Sequence, residues 1–155
     1  MAKAPSEPSV LALLPLRYPY LLIDRVLERG PERARALKNV SHNEWFTAGH
    51  FPGRPVMPGT LLIEGMAQTA GLLLTYHQPA AAEGKGEGAL GFLVGVDRAR
   101  FRRPVVPGDQ VLYEAKLVRA KGGLLRAEVE AHVQDEKVAE AVITLMAARE
   151  EDLPS

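Results

Sequence analysis

The sequence predicts an α+β fold: an antiparallel sheet packed against one long apolar helix. Three observations carry that expectation. Met57 to Tyr76 is an almost uninterrupted apolar run behind a Pro58-Gly59 start. Leu124 to Gln134 alternates cleanly, with Leu125, Ala127, Val129, Ala131 and Val133 on one face and Arg126, Glu128, Glu130, His132 and Gln134 on the other. Glycine and proline clusters cut the remaining C-terminal half into pieces of strand length.

Taken in order, Met1 to Pro8 reads as a loose tail and Ser9 to Leu14 as a short helix stopped before Pro15. Leu21 to Arg29 and Glu32 to Val40 read as two strands joined at Gly30-Pro31. Ser41 to Glu44 matches the capping box, which predicts a short helical turn. Pro58 suits the first helical position, where its missing N–H would be unpaired anyway, and the helix should end near His77 to Gln78, before Pro79. Ala80 to Gly88 reads as a flexible loop; its Gly84-Lys85-Gly86 lacks the rest of a P-loop. Ala89 to Phe101 and Val111 to Ala120 are strands, with turns at Pro107-Gly108-Asp109 and Lys121-Gly122-Gly123. After Leu124 to Gln134, Asp135-Glu136-Lys137 turns into a last strand, Val138 to Ala148.

Composition narrows the function. The 155 residues suit one domain, 1–155, with tails at 1–8 and 150–155. Nineteen basic residues balance nineteen acidic ones, which argues against bulk nucleic-acid binding. With no cysteine there is no disulfide, thiolate metal site or thiol nucleophile, and a cytoplasmic setting fits. Glu64 and Gln68, in the middle of the long apolar run, make it a buried helix rather than a membrane span. No two histidines have a metal-binding i, i+4 spacing, so no metal site is expected.

The helix carries a narrow polar stripe. At about 100° per residue, Thr60, Glu64, Gln68, Gly71 and Thr75 fall within roughly 40° of the Glu64 direction, and Leu62, Met66 and Leu73 lie opposite. A solvated face normally holds several charges, and this stripe has one. It is therefore expected to face protein or a ligand groove. A carboxylate partly desolvated there would hold its proton more tightly, as a general acid must.

Just before the helix, Gly49-His50-Phe51-Pro52-Gly53-Arg54-Pro55-Val56-Met57-Pro58-Gly59 sets one imidazole in a loop stiffened by three prolines. His42, His77 and His132 have ordinary surface or helix-end explanations. His50 differs because rigid, mostly apolar residues surround it, and from pattern alone it reads equally as a structural or as a chemical histidine. Arg98, Arg100, Arg102 and Arg103 crowd six residues of an otherwise neutral chain. That run reads either as a solvated strand edge or as a basic patch for a phosphate or an acidic partner.

Several blocks in order resemble a known family. They are Leu14-Pro15-Leu16-Arg17-Tyr18-Pro19-Tyr20 with Leu22-Ile23-Asp24-Arg25-Val26, then Lys38-Asn39-Val40 and Asn43-Glu44. The stretch Gly49 to Gly59 follows, with Ile63-Glu64-Gly65-Met66-Ala67-Gln68, Val96-Asp97-Arg98-Ala99-Arg100-Phe101 and Arg103-Pro104-Val105-Val106-Pro107-Gly108-Asp109. From about Leu11 to Ala148 the chain resembles the 3-hydroxyacyl-[acyl-carrier-protein] dehydratases of bacterial fatty-acid synthesis, the class without isomerase activity. The resemblance implies the hot-dog fold, a long central helix wrapped by an antiparallel sheet. It implies His50 and Glu64 as the catalytic pair, drawn from different subunits of a homodimer that often assembles into a trimer of dimers. Glutamate at position 64, rather than the aspartate of the isomerising relatives, favours the non-isomerising class.

From resemblance and residue chemistry together, His50 is the base, Glu64 the acid and the Gly59 backbone N–H the oxyanion donor. Phe51, Gln68 and Phe92 would line an apolar tunnel for the acyl chain. An acidic acyl carrier protein would present the substrate on a phosphopantetheine arm, steered by Arg98, Arg100, Arg102 and Arg103. No cofactor is required. The chain departs from the family pattern at Leu16, where histidine is usual, at Trp45, where proline is usual, and at Phe92, near the place of a gating tyrosine. A hot-dog acyl thioesterase and a non-catalytic carrier-binding subunit are the alternatives; the loop histidine together with the helix glutamate favours dehydration.

Overall fold

Pro58 begins the long helix as its cap rather than its first residue: its backbone is extended (φ −54°, ψ 136°), and α2 runs Gly59–His77. The computed structural model describes residues 8–79 and 89–154. Around α2 lie α1 (Val10–Leu13), β1 (Arg25–Arg29), β2 (Arg33–Asn39), β3 (Ala89–Phe101), β4 (Gln110–Lys121), β5 (Leu124–Val133) and β6 (Glu136–Arg149). The strands form one sheet in the order β1-β2-β4-β5-β6-β3, every neighbouring pair antiparallel, with β1 and β3 at its edges. The expected α+β class holds, and the arrangement of sheet and helix is the hot-dog one.

Side-chain alternation explains the wrapping. In β5 the inward residues Leu125, Ala127, Val129, Ala131 and Val133 are all buried, while Glu128 faces solvent. The long hairpins turn on glycine where the chain needs positive φ: Gly122 and Gly123 between β4 and β5, and Gly108 in the turn before β4. Against this concave face α2 buries Leu62, Met66, Ala70, Leu72 and Leu73. At Gly65 it lies close against the sheet. A Cβ there would lie 2.3 Å from the hydroxyl of Tyr113, a fully buried β4 residue.

Three sequence expectations change. Leu21 to Asp24 is not strand, because a helix side chain takes the Leu22 N–H: Gln68 Oε1 accepts it at 2.8 Å. The Ser41–Glu44 box forms without a helix. Glu44 accepts from the Ser41 N–H at 3.3 Å, but Ser41 Oγ accepts from Asn43, and the same Glu44 oxygen pairs with buried Lys38 at 2.9 Å. The segment stays a series of turns. The 150–155 tail begins with a 3₁₀ turn, Glu150–Asp152, after which Arg149 N–H donates to Asp152. The expected loop Ala80 to Gly88 and nearly all of the 1–8 tail lie outside the described residues. No helix among those described is long and apolar enough to cross a membrane.

The Gly65–Tyr113 contact yields a stability test. Alanine is the better helix former, yet Gly65→Ala should destabilise the protein by about 1–3 kcal/mol through overpacking against Tyr113. Adding Tyr113→Leu should recover part of that loss. Urea unfolding measures both; a Gly65→Ala protein as stable as the parent would show that α2 is not seated by this contact.

Candidate active site

His50 is held by backbone on both sides. Its N–H donates to Phe46 O at 3.1 Å, and its own carbonyl accepts from the Val56 N–H at 2.8 Å. Between these two residues Phe51 and Arg54 exchange backbone hydrogen bonds of 2.9 Å, closing the tight turn that Pro52 and Gly53 shape. The imidazole Nδ1 lies 2.8 Å from Val56 O. A carbonyl can only accept, so Nδ1 carries the proton in the neutral ring and Nε2 keeps its lone pair. The ring is half-buried, and Phe51 stacks on it with centroids 3.9 Å apart. A histidine with one nitrogen tethered and the other free is set up to take a proton.

The loop ends at the helix start. Met57 N–H donates to Val105 O at 2.8 Å, tying it to the segment after β3. The Phe101 ring lies over Gly59, so close that an added Cβ would sit 3.1 Å from it. Leu61 and Leu62 are the first helix residues to donate inward, both to Pro58 O. Among the described residues the N–H groups of Gly59 and Thr60 find no acceptor. They are free donors at the positive end of a 19-residue helix.

Glu64 sits on the other feature of the site, a cavity of 350 Å³ between α2, the segment before β1 and β3. Gln68, Gly71 and Thr75 of the polar stripe line it too, with Phe92 from β3 and Tyr20 and Leu14 from the N-terminal segment. The stripe therefore faces a groove rather than bulk water; its first member, Thr60, is exposed and lies outside the cavity.

Gln68 organises this end. It is 3% exposed, and its amide orientation is fixed because Oε1 accepts from Leu22 N–H while Nε2 donates to Tyr20 O, both at 2.8 Å. The same Nε2 donates to Glu64 Oε1 at 3.0 Å. One carboxylate oxygen is thus held and the other is left for the groove. The negative charge of Glu64, then burial, then a hydrogen bond to Glu64 push the Tyr20 phenol above its ordinary value.

The candidate residues fall into two groups within one chain. Glu64, Gln68 and Phe92 share the cavity; His50, Phe51 and Gly59 do not line it. The arginine run also divides. Arg102 pairs with Glu140, and Arg103 pairs with Asp109 at 3.1 Å and Glu136 at 2.8 Å. Arg98, in the left-handed region at φ 53°, and Arg100 make no ion pair among the described residues. Sequence reasoning missed Tyr20 beside Glu64. Tyr20 ends one of the family-like blocks, but no spacing rule links it to a helix so far along the chain. Of the other histidines, His77 meets Pro31 O at 2.7 Å and His132 lies 3.5 Å from Glu130, both without a chemical task.

The chain is similar to known proteins in sequence and in fold. A family model described as FabA-like domain matches residues 14–142. The chain is 52% identical over 136 residues to the 3-hydroxyacyl-[acyl-carrier-protein] dehydratase FabZ of Paracidovorax citrulli, covering 86% of this chain and 90% of that one. It is 49% identical over 138 residues to FabZ of Thermus thermophilus, covering 88% and 93%. Among solved structures it is similar in fold to the dehydratase heterocomplex ApeI:P from Xenorhabdus doucetiae, with TM-score 0.81, 18% identity and 95% of each chain covered. A hypothetical thioesterase from Streptococcus pneumoniae, solved with coenzyme A, shares the fold at TM-score 0.62 and 11% identity, covering 81% and 85%.

The Tyr20–Glu64 pairing can be read by titration. A phenolate forming beside a carboxylate is opposed by its charge, so Glu64→Gln should let Tyr20 ionise at lower pH than in the parent. Ultraviolet phenolate absorbance, with Tyr20→Phe to assign the signal, measures the shift. An unchanged midpoint would mean the two groups do not sense each other.

Proposed function

The chain belongs to the FabA-like family, and from that premise we propose its reaction, the roles of its residues and its assembly. It dehydrates (3R)-3-hydroxyacyl-[acyl-carrier-protein] to the trans-2-enoyl product in fatty-acid synthesis. The observation that carries this is the near-50% identity, over most of both chains, to dehydratases of that name. The fixed tautomer of His50 supports it from the chemistry.

The steps follow from charge. His50 Nε2 takes the proton from the carbon beside the thioester carbonyl, an acid made accessible by delocalising the electrons onto that oxygen. Gly59 N–H, at the helix start, stabilises the resulting oxyanion. The electrons return to form the double bond as the C3–O bond breaks, and Glu64 protonates the departing hydroxyl, directly or through a water, so that water leaves rather than hydroxide. Gln68 keeps Glu64 turned toward the groove.

We propose that the working unit is a homodimer in which His50 of one chain completes the Glu64 site of the other. β3 supports this reading. It is a 13-residue edge strand whose Leu93, Val94 and Val96 are exposed, and a long apolar edge invites a second strand. β3 also contributes Phe92 and Leu93 to the cavity wall, so a partner laid along it would reach the substrate groove. The carrier protein is acidic and meets Arg98 and Arg100, the two arginines of the run without an ion pair among the described residues; Arg102 and Arg103 hold Glu140, Asp109 and Glu136 instead. A cytoplasmic setting suits a carrier-borne substrate.

Incubation with 3-hydroxyacyl and enoyl carriers tests the reaction: reversible interconversion supports it, while release of free thiol would indicate a thioesterase. His50→Ala and Glu64→Gln should each lower turnover roughly 10²–10⁴-fold with the fold intact. Remixed as subunits, the two inactive variants should regain activity, because each mixed dimer holds one complete site. A folded His50→Ala protein with near-parental rate would overturn the mechanism, and absence of complementation in proven mixed dimers would overturn the shared site.

For the carrier, Arg98→Glu with Arg100→Glu should slow association with carrier-bound substrate and spare a short thioester without the carrier. Added salt should act the same way, since exposed charges are screened beyond about 8–10 Å. Equal losses on both substrates would assign these arginines to structure.

A further inference from the structure

The cavity beside Glu64 has a measurable length. Its lining follows α2 from Glu64 through Gln68 and Gly71 to Thr75, eleven residues on. At 1.5 Å per residue that is about 16 Å, the reach of an extended acyl tail of roughly a dozen carbons. Among the described residues the far end offers no free polar group. Thr75 Oγ1 donates to Leu72 O at 3.2 Å and accepts from Arg29 Nη2 at 3.3 Å, so its hydrogen bonding is met by protein. Such an end suits a methyl terminus.

Two glycines face this far half. Gly71 lies inside the helix, where glycine is a poorer choice than alanine. Its absent Cβ would stand 3.3 Å from Leu14 Cδ2, on the opposite cavity wall. Gly91 lies in β3, where a glycine has no side chain to pack. Its absent Cβ would stand 2.9 Å from Leu74 Cδ2, another lining atom. At both positions the facing side chain already stands at contact distance, so an added methyl would displace Leu14 or Leu74, each of which lines the cavity.

We propose that Gly71 and Gly91 determine chain-length specificity, holding open the distal half of the cavity for acyl tails of about a dozen carbons beyond the reacting centre. The inference rests on the dehydratase reading for what the tail is attached to, and on the cavity alone for its length. Gly71→Ala is the primary variant, because alanine suits a helix and the position lies outside the β3 edge proposed to pair in the dimer. Gly91→Ala is the second: Leu74 would swing the end of a flexible side chain to make room.

The experiment measures kcat/KM on hydroxyacyl carriers from about four to about sixteen carbons, for the parent and both variants, with thermal melts to confirm folding. In the parent the value should hold up to about fourteen carbons and then fall. Gly71→Ala should lower the ratio of long-chain to short-chain kcat/KM about 10-fold or more, the scale of one misplaced methyl in an apolar pocket. Uniform loss at every length, or an unchanged ratio of long to short, would overturn the proposal. A second arm measures calorimetric binding of saturated acyl carriers of the same lengths, which cannot react. If the parent binds them with the expected length limit, which Gly71→Ala shortens, but turns over no hydroxyacyl carrier, the dehydratase reading fails and the cavity assignment stands. Binding independent of length would sink the assignment itself.

Discussion

The site depends on how closely one helix sits on its sheet. α2 is buried over most of its circumference, and at Gly65 it packs directly against the Tyr113 ring and hydroxyl. A methyl group at that point would lift the helix, and with it Glu64 one residue earlier and Gln68 three residues later. The contact has its own cost. The Tyr113 hydroxyl is buried without a hydrogen-bond partner among the described residues, and burial pushes its phenol well above the ordinary value. The ring is nevertheless the largest of the fully buried side chains, so the packing area it supplies offsets an unmet hydroxyl.

Once the helix is seated, its polar groups must be satisfied where they lie: Thr69, on the buried side, donates to Gly65 O at 2.9 Å, and the stripe is satisfied along the cavity. Gln68 does this with a single amide. It accepts from the Leu22 N–H, donates to Tyr20 O and to Glu64, and so joins the N-terminal segment to the helix at the point where the carboxylate must be aimed. The same bonds explain why β1 begins only at Arg25: the backbone ahead of it is committed to a side chain. Position and chemistry are coupled here, because moving the segment would release the glutamate.

What the sequence made legible follows from periodicity and local rules. The period-2 alternation of Leu124 to Gln134 survives as β5, and Pro58 and Pro79 bracket α2 within a residue or two, because both signals depend only on neighbours in the chain. The polar stripe was legible as a surface that avoids water, since Glu64 is its one charge. Contacts between distant residues were not legible. The bond from His50 Nδ1 to Val56 O depends on how the loop doubles back, and the capping box at Ser41 fails to start a helix because Glu44 also serves Lys38 from β2. The arginine run looked uniform in sequence. Its division appears only when β6 brings Glu136 and Glu140, and the turn before β4 brings Asp109, beside Arg102 and Arg103.

The separation of His50 from the Glu64 cavity and the exposed apolar edge of β3 bear on the same question. A catalytic pair split within a chain is incomplete by itself, and a long unpaired strand is a liability by itself. Both difficulties are removed by one operation if two chains join along β3 about a two-fold axis, since the strand forms the sheet edge and a wall of the cavity at once. Under the proposed assembly, the groove that orients Glu64 is walled by the element that recruits the partner, and the histidine arrives only when the dimer forms. Proton transfer would then be coupled to assembly. A monomer would keep the carboxylate, its amide clamp and an open cavity, yet lack the base, so loss of dimerisation should abolish turnover without abolishing the fold around Glu64.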